Sequence, residues 1–306
     1  MIKVLEICYK GIRFSSHKNH FQFCLPYTFI PLYLYTLLLI ISSSAEIHSQ
    51  TEIEKQFNYA KKLYDEEKYF DAVTEFKRLL FFYDGDIYSY ESNLLTGLSY
   101  KNGAKFSEAI QHFTLAGLNS KNIDEVFIAR LEIIKVNILR RTIGRALALL
   151  DSLQNDSKFT RNADEINYWR GWSYIFSDDW ENASLSFSTI EPKHPLALLC
   201  DSLAHDLYDP TLAKTLSIIP GAGQFYTGEY VSGFLSIGWN VLWGYLTINA
   251  FMEDRVFDGL MVGSLLWWRF YTGNIQNAEK FALEKNLEKS NSALRYLQNY
   301  YIGKKP

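Results

Sequence analysis

Small and large apolar residues recur with one long period between residues 52 and 195. An alanine returns every 37 residues, and a large apolar residue follows four positions after each alanine. The alanines are Ala72, Ala109, Ala146 and Ala183, and the large residues are Phe76, Phe113, Leu150 and Phe187. Residues four apart share one face of an α-helix, and a small residue lets a neighbouring helix approach closely. The pattern therefore predicts four stacked helix pairs.

The first half of each unit follows the same step. Gly97 and Gly171 hold the place that Ala60 has in the first unit, whereas the third unit carries the larger Ile134 there. These residues resemble tetratricopeptide repeats across residues 52 to 195. Because the usual repeat of that family has about 34 residues, we expect longer turns, for example at residues 84–86 and 119–124. The third unit departs from the family pattern and is expected to pack less regularly.

The resemblance implies a concave face, lined by the first helix of each pair, that binds a peptide or a partner protein. Carried over position by position, this face alternates lysines with aromatic residues, which would suit an extended segment bearing acidic or C-terminal carboxylate groups. Its candidate partner-binding residues are Lys61, Tyr64, Leu98, Lys101, Asn102, Lys135, Tyr168 and Trp172. The alternative is that these are ordinary solvated side chains of a helical surface.

The chain changes character after residue 207. Asp209-Pro210 marks a break, and residues 211–219 predict a short amphipathic helix. Residues 234–251 and 256–271 are two largely apolar runs, joined by the polar turn at residues 253–255. Runs of this length predict an antiparallel transmembrane hairpin, with Gly259 and Gly263 as a contact between membrane helices.

The turn that opens the hairpin carries the residues Pro220, Gly221, Gly223, Gln224, Tyr226 and Gly228. It is similar to the entry turn of small two-span membrane modules of the TM2-like and related bacterial families, and this likeness implies an architecture and no reaction. Asp258 and Arg269 lie near the ends of the second run. Arg269 is expected to reach lipid headgroups beside Trp267 and Trp268, and a polar path through the hairpin is the alternative.

The N-terminal segment predicts export. A basic stretch precedes the apolar residues 27–41, and Ser43 and Ala45 satisfy the small-residue rule for signal-peptide cleavage. An uncleaved signal anchor is the alternative, and either form would place the repeats outside the cytoplasm. Cleavage after Ala45 would leave Cys200 as the only cysteine, so no internal disulfide is expected.

Sites for chemistry are missing from the sequence. The formal net charge of −3 predicts no nucleic-acid partner, and the scattered histidines lack the spacing of metal ligands. We therefore expect no catalytic residue, no metal, no cofactor and no enzymatic activity.

These observations combine into one architecture. The expected class is all-α: a solenoid of about four helix pairs plus a transmembrane helical hairpin. The expected segments are residues 1–45 (signal peptide or anchor), 46–207 (repeats), 208–278 (turn and hairpin) and 279–306 (charged helical tail).

The sequence favours one function over two others. The leading hypothesis is a membrane-anchored scaffold of the bacterial cell envelope, with the repeats on the periplasmic side of an inner membrane. Its partners would be a protein or peptide, the lipid bilayer and, through the hairpin, further copies of the chain. The alternatives are an oligomeric transport or channel component built on the hairpin, and an envelope enzyme.

Overall fold

The computed structural model describes residues 52–83 and 87–306, and within them it contains helices and turns but no β-strand. The all-α part of the expected class is therefore confirmed. The predicted signal peptide or anchor and the turn at residues 84–86 lie outside the described residues. The chain divides into two compact units, Met1–Asn58 and Tyr59–Pro306, and the packing discussed below is that of the second unit.

The helices follow one another with short turns. Helix α1 covers residues 52–65. The others are α2 (Tyr69–Phe82), α3 (Ser89–Asn102), α4 (Phe106–Leu118), α5 (Ile123–Leu139), α6 (Ile143–Gln154), α7 (Ala163–Ile175), α8 (Trp180–Ile190), α9 (Pro195–Asp206), α10 (Pro210–Leu216), α11 (Ala222–Tyr226), α12 (Tyr230–Met252), α13 (Val256–Met261) and α14 (Trp268–Tyr300). A 3₁₀ segment, Ser157–Asn162, precedes α7, and a π-helical segment, Val262–Trp267, joins α13 to α14.

The turn between the two helices of each pair repeats with the 37-residue step. In each turn, the residue two positions before the second helix has positive φ although it is not glycine. These residues are Glu67, Ala104, Arg141 and Asp178, with φ between 56° and 61°. In each turn the next amide donates to a carbonyl five residues back, as Lys105 N does to Tyr100 O at 2.8 Å. Such left-handed residues satisfy the last carbonyls of a helix. The four units therefore share their backbone as well as their apolar pattern.

The recurring residues form the core. The four alanines and the four large residues that follow them have no exposed surface. Within a pair, the space left by a small residue on the first helix receives a phenylalanine ring from the second, because a Cβ at Gly97 would lie 2.6 Å from the Phe113 ring. In the third unit Ile134 and Leu150 are both fully buried in one cluster. A larger first-helix residue is thus matched by a smaller second-helix residue.

Neighbouring helices along the chain, from α2 to α9, pack against each other, as the stacked pairs require. The 3₁₀ segment links the third pair to the fourth by burying Phe159 against Phe127, with ring centroids 5.5 Å apart. The third unit is therefore integrated into the stack, although its residues depart from the family pattern.

Helix α14 returns the chain from the hairpin to the repeats, which the sequence did not predict. Asn286 holds the backbone of Tyr208 by two hydrogen bonds of 2.8 Å. Trp180 donates through Nε1 to Ser290 Oγ at 2.9 Å, and Leu297 is buried in the core of α5–α9. The charged tail is therefore part of the same compact unit as the repeats.

The predicted transmembrane hairpin is wrong. In the parts of the chain that the structure describes, no helix combines the length and the apolar character needed to cross a bilayer. Helix α12 is long, but it carries the buried polar residues Ser236, Asn240 and Thr247. The second apolar run is divided between α13, the π-helical segment and the start of α14. Anchoring through this hairpin and the transport pathway depended on the two spans, and neither is carried further.

The hairpin does exist as a helical hairpin packed within one chain. Trp239, Trp243 and Phe270 stack with ring centroids 5.8 to 6.3 Å apart. A Cβ at Gly259 would lie 2.9 Å from the Phe251 ring, and one at Gly263 would lie 3.0 Å from Thr247 Cγ2. These glycines therefore serve contacts inside the hairpin.

The two charged residues of the second run have ordinary surroundings. Asp258 forms an exposed ion pair with Arg255 at 3.6 Å, and Arg269 is exposed on α14. Neither the headgroup setting nor the polar path that the sequence suggested survives the loss of the spanning hairpin.

Candidate partner-binding surface

The eight candidate binding residues lie on α1, α3, α5 and α7, as the repeat register predicts. We call the surface formed by Tyr64, Lys101, Asn102, Lys135, Tyr168 and Trp172 the odd-helix face. Each of these residues comes from the first helix of a pair. Lys61 and Leu98 flank this face, Lys61 at an ion pair with Glu91 (3.1 Å) and Leu98 half-buried against the cluster around Phe113.

A buried carboxylate joins two of the predicted lysines. Glu132 on α5 accepts from Lys101 Nζ at 2.9 Å and from Lys135 Nζ at 2.6 Å, and the side chains of all three are 10 to 15% exposed. Burial by itself would raise the pKa of Glu132, but the two ammonium groups outweigh it and hold that pKa below its ordinary value. The carboxylate is therefore ionised at neutral pH and ties α3 to α5.

Lys135 is held from a second side. Its Nζ lies 4.5 Å from the centroid of the Trp169 ring on α7, a cation–π geometry, and Trp169 is fully buried. Lys61, Lys101 and Lys135 all have a carboxylate partner inside the chain. The predicted row of lysines thus forms ion pairs and a cation–π contact that connect neighbouring helix pairs. These lysines are not a set of free cations that an acidic ligand would find.

Tyr64 and Asn102 form the part of the face on α1 and α3. The Tyr64 ring packs edge-on against Tyr69 at 5.8 Å. Its partial burial, with the nearby hydroxyl of Tyr69, raises the pKa of Tyr64, and a hydrogen bond with the Asn102 side chain opposes that shift. Asn102 is exposed. This part of the face is reachable by a partner.

On α7 the face is covered by the chain itself. Tyr168 donates to the backbone carbonyl of Lys304 at 2.6 Å, and its oxygen lies 3.1 Å from Tyr301 Oη. Since Tyr168 has one proton to give, Tyr301 is the donor in the second bond. The Tyr301 ring also packs on Trp172, with centroids 6.1 Å apart. Burial, followed by the contact with Tyr301, raises the pKa of Tyr168.

Residues 301–306 were not foreseen as part of this surface. They follow α14 without helical structure, and Lys304 Nζ reaches Glu165 Oε1 at 3.3 Å. Only a tyrosine followed by basic residues marks this segment in the sequence, and nothing in its local pattern indicates what it contacts. The return path of α14 brings it to the face.

The residues of the predicted hairpin turn build a corner between helices. Gly221 and Gly228 have positive φ, 88° and 79°, and a Cβ at Gly223 would collide with Ser217 Oγ and with Ala213 O. Gln224 is buried and donates to Asn274 O at 2.9 Å, and Tyr226 Oη accepts from Asp209 N at 3.0 Å. Pro220 lies at the same corner, beside Ile219. These contacts give the turn a packing role, joining α10, α11, α12 and α14.

Two further side chains of reactive types, His112 and Cys200, are buried in the core. Burial lowers the pKa of His112 to about 4, and its Nδ1 lies 3.1 Å from Asn93 Oδ1. Burial raises the pKa of the Cys200 thiol to about 12, which keeps it protonated and weakly nucleophilic. Among residues 52–83 and 87–306, no group of three or more His, Cys, Asp or Glu side chains is arranged to hold a metal ion.

We find no protein-family model, no curated protein and no solved structure that matches this chain. Its likeness to tetratricopeptide repeats, and that of the hairpin turn to the TM2-like families, therefore stay predictions made from the residues.

Proposed function

We propose that this protein is a helical-repeat adaptor that binds an extended segment of a partner protein on the odd-helix face. The observation that carries the proposal is the position of residues 301–306. A stretch of non-helical chain lies on this face, with a tyrosine ring on Trp172 and a backbone carbonyl bonded to Tyr168. Contacts of these two kinds are those by which grooves hold extended peptides.

The construction of the face supports a binding role. The Lys101–Glu132–Lys135 bridge and the Trp169 contact fix neighbouring helix pairs relative to each other. A surface that is rigid before binding loses little conformational entropy when a partner arrives. Beneath residues 301–306 the face carries Tyr168 and Trp172, and tyrosine and tryptophan often supply binding energy at protein interfaces.

The proposal includes no catalytic step and no cofactor. It keeps the expectation that residues 1–45 export the chain, in which case the partner belongs to an extracytoplasmic compartment. Self-association through the hairpin is a separate expectation, since α12 leaves large apolar side chains such as Phe234, Val241 and Tyr245 exposed.

Site-specific photocrosslinking tests the proposal. A benzophenone amino acid replaces Asn102 on the odd-helix face in the full chain, and the matched control carries it at Ser107, which is exposed on the second helix of the same pair. We expect a discrete adduct from position 102 whose partner is the same in repeated experiments, and no such adduct from position 107. Equal labelling from both positions, or none from position 102, contradicts the proposal.

A further inference from the structure

We propose that the α7 end of the odd-helix face recognises a partner segment with an aromatic residue followed, three positions later, by a lysine or arginine, and that residues 301–306 occupy this place until the partner displaces them. This inference rests on the proposed function, because it names the partner's chemistry and the regulation of the same face. Its basis is what the face now holds at Glu165, Tyr168 and Trp172.

The aromatic position is defined by two contacts. The ring of Tyr301 packs on Trp172, and its hydroxyl donates to Tyr168 Oη at 3.1 Å. Both are contacts that any tyrosine on an extended segment can make, since neither involves the helix that precedes Tyr301. Aromatic pairs of this kind add binding energy beyond their buried area.

The basic position is defined by Glu165. Lys304 Nζ lies 3.3 Å from Glu165 Oε1, while the backbone carbonyl of the same residue accepts from Tyr168. The bond to the carbonyl fixes the register, and the carboxylate selects a cation three positions after the aromatic residue. Because Lys304 is 73% exposed, the ion pair is expected to contribute more to specificity than to affinity.

The segment is held loosely enough to leave. Ile302 is 98% exposed and contributes no packing, and Lys305 Nζ bonds to Gln298 O on the segment's own helix α14. A cavity of about 410 Å³ lies beside residues 305 and 306, with an apolar wall. Its apolar lining residues are Leu139, Trp172, Phe176, Leu294 and Leu297. Lys305 and Pro306 also line this cavity, and a partner segment with a large apolar side chain at this point fills the space that they leave open.

Tethering makes residues 301–306 a competitor. They follow α14 directly, so their effective concentration at the face is high even though the individual contacts are few. The apparent affinity of the face for an external segment is its intrinsic affinity multiplied by the fraction of molecules in which the face is uncovered. Weakening the tethered segment must therefore strengthen external binding, whereas a segment with only a structural role would show no such reciprocity.

The test uses the full chain and a labelled peptide with the sequence of residues 301–306, acetylated and amidated at its ends. The fluorophore replaces the side chain of the exposed isoleucine. Binding is followed by fluorescence anisotropy for the wild type, for Tyr301→Ala with Lys304→Ala, and for Lys304→Ala alone. The last variant changes only an exposed side chain, so it reports on competition even if the double variant folds poorly. We expect the double variant to bind the peptide about tenfold more tightly than the wild type, and the single variant about threefold more tightly.

A charge test identifies the basic position. In the Lys304→Ala background, Glu165→Gln is expected to weaken binding of the peptide about threefold. Binding of a second peptide, in which alanine replaces the lysine that corresponds to Lys304, should not change. The matched control is Glu181→Gln, an exposed glutamate on α8, which should leave both peptides unchanged.

Two results overturn the inference. One is that the wild type, the Lys304→Ala variant and the double variant all bind the peptide with equal affinity. The other is that Glu165→Gln and Glu181→Gln change the peptide affinity equally. If either occurs while position 102 still captures its partner, only this inference fails, since the partner then uses the α1–α3 part of the face. If position 102 captures nothing, the proposed function itself fails.

Discussion

Replacing Gly171 by alanine tests the packing rule that holds each helix pair together. Gly171 on α7 faces the Phe187 ring on α8, and both residues recur at the same places in the second pair, as Gly97 and Phe113. An ideal Cβ at Gly171 would lie 2.5 Å from Phe187 Cζ and 2.6 Å from Cε2. Ordinary contacts of a Cβ begin near 3.4 Å. The ring or the helix therefore has to move by nearly 1 Å.

The expected loss of stability follows from two opposing terms. Overpacking of a filled core costs about 1–3 kcal/mol, and Phe187 is fully buried, so its ring cannot swing into solvent. Alanine in place of glycine favours the helix by up to about 1 kcal/mol. The packing term is larger, and we expect the free energy of unfolding to fall by roughly 1–2 kcal/mol. For a domain of this size that corresponds to a melting temperature lower by about 2–4 °C.

Two further variants separate packing from helix propensity. Gly144→Ala on α6 is the matched control, because a Cβ there meets nothing within 4 Å, and it should be neutral or stabilising by up to about 1 kcal/mol. Phe187→Leu combined with Gly171→Ala reproduces the larger-with-smaller pairing of the third unit, and its loss should be smaller than the sum of the two single losses. Urea unfolding followed by circular dichroism measures the wild type, the single variants Gly171→Ala, Gly144→Ala and Phe187→Leu, and the double variant. If Gly171→Ala is as stable as Gly144→Ala, the helix pairs are not fixed by this contact and the packing rule is refuted.

Three other perturbations test the turn within a helix pair, the ion pairs of Glu132 and the buried His112. Ala104→Gly removes a positive φ of 56° from a residue with a Cβ, so it should raise the free energy of unfolding by about 1 kcal/mol, whereas Ser107→Gly on the adjacent helix should lower it by a similar amount. Glu132→Gln leaves two lysines without their carboxylate and should cost about 1–3 kcal/mol at pH 7, against at most about 0.5 kcal/mol for Glu91→Gln in its exposed pair. The folded pKa of His112, about 4, lies below its unfolded value of 6.5. The unfolded state therefore binds the proton first, and stability should fall by at most about 3 kcal/mol as the pH drops from 6.5 to 4. Urea midpoints across that pH range should fall less for His112→Gln than for the wild type, and parallel curves would contradict this reasoning.

The periodic part of the fold was predictable because its cause is periodic. A small residue and a ring that must meet across one helix pair leave a fixed spacing in the sequence, and stacking repeats that spacing. The volumes also compensate, since Ile134 pairs with Leu150 where Gly171 pairs with Phe187. The irregular third unit was therefore interpretable as the same packing with its volumes exchanged. The turn residues with positive φ also recur every 37 residues. Because they are four different residue types and none is glycine, their left-handed conformation could not be predicted from the sequence.

The hairpin was misjudged because an uncharged run is a weaker criterion than an apolar one. Residues 234–251 contain no charge, yet two asparagines, two glycines, one serine and one threonine lie among the large side chains. Asn240 is buried and donates to Ser236 O at 2.8 Å, a bond within the helix. Trp239 and Trp243 of this run stack on Phe270 across the hairpin. Intrachain packing thus accounts for part of the residues that had indicated lipid contact.

The candidate site also contains two kinds of contacts: some recur with the repeat, and others do not. Lys61 and Glu91 are 30 positions apart and Lys101 and Glu132 are 31 apart, so the pairs that occupy the lysines join equivalent helices of neighbouring units. A search of the sequence for opposite charges whose separation is slightly shorter than the 37-residue repeat can find such pairs. Tyr168 meets Tyr301 and Lys304 at separations of 133 and 136 positions, which no repeat relates. These contacts exist because α14 folds back along α10. The hydrogen bonds of Ser290 with Trp180 on α8, and of Asn286 with Tyr208, set the direction of that return. The residues that form the face can therefore be found in the repeat register, whereas what covers the face is decided by tertiary contacts outside it.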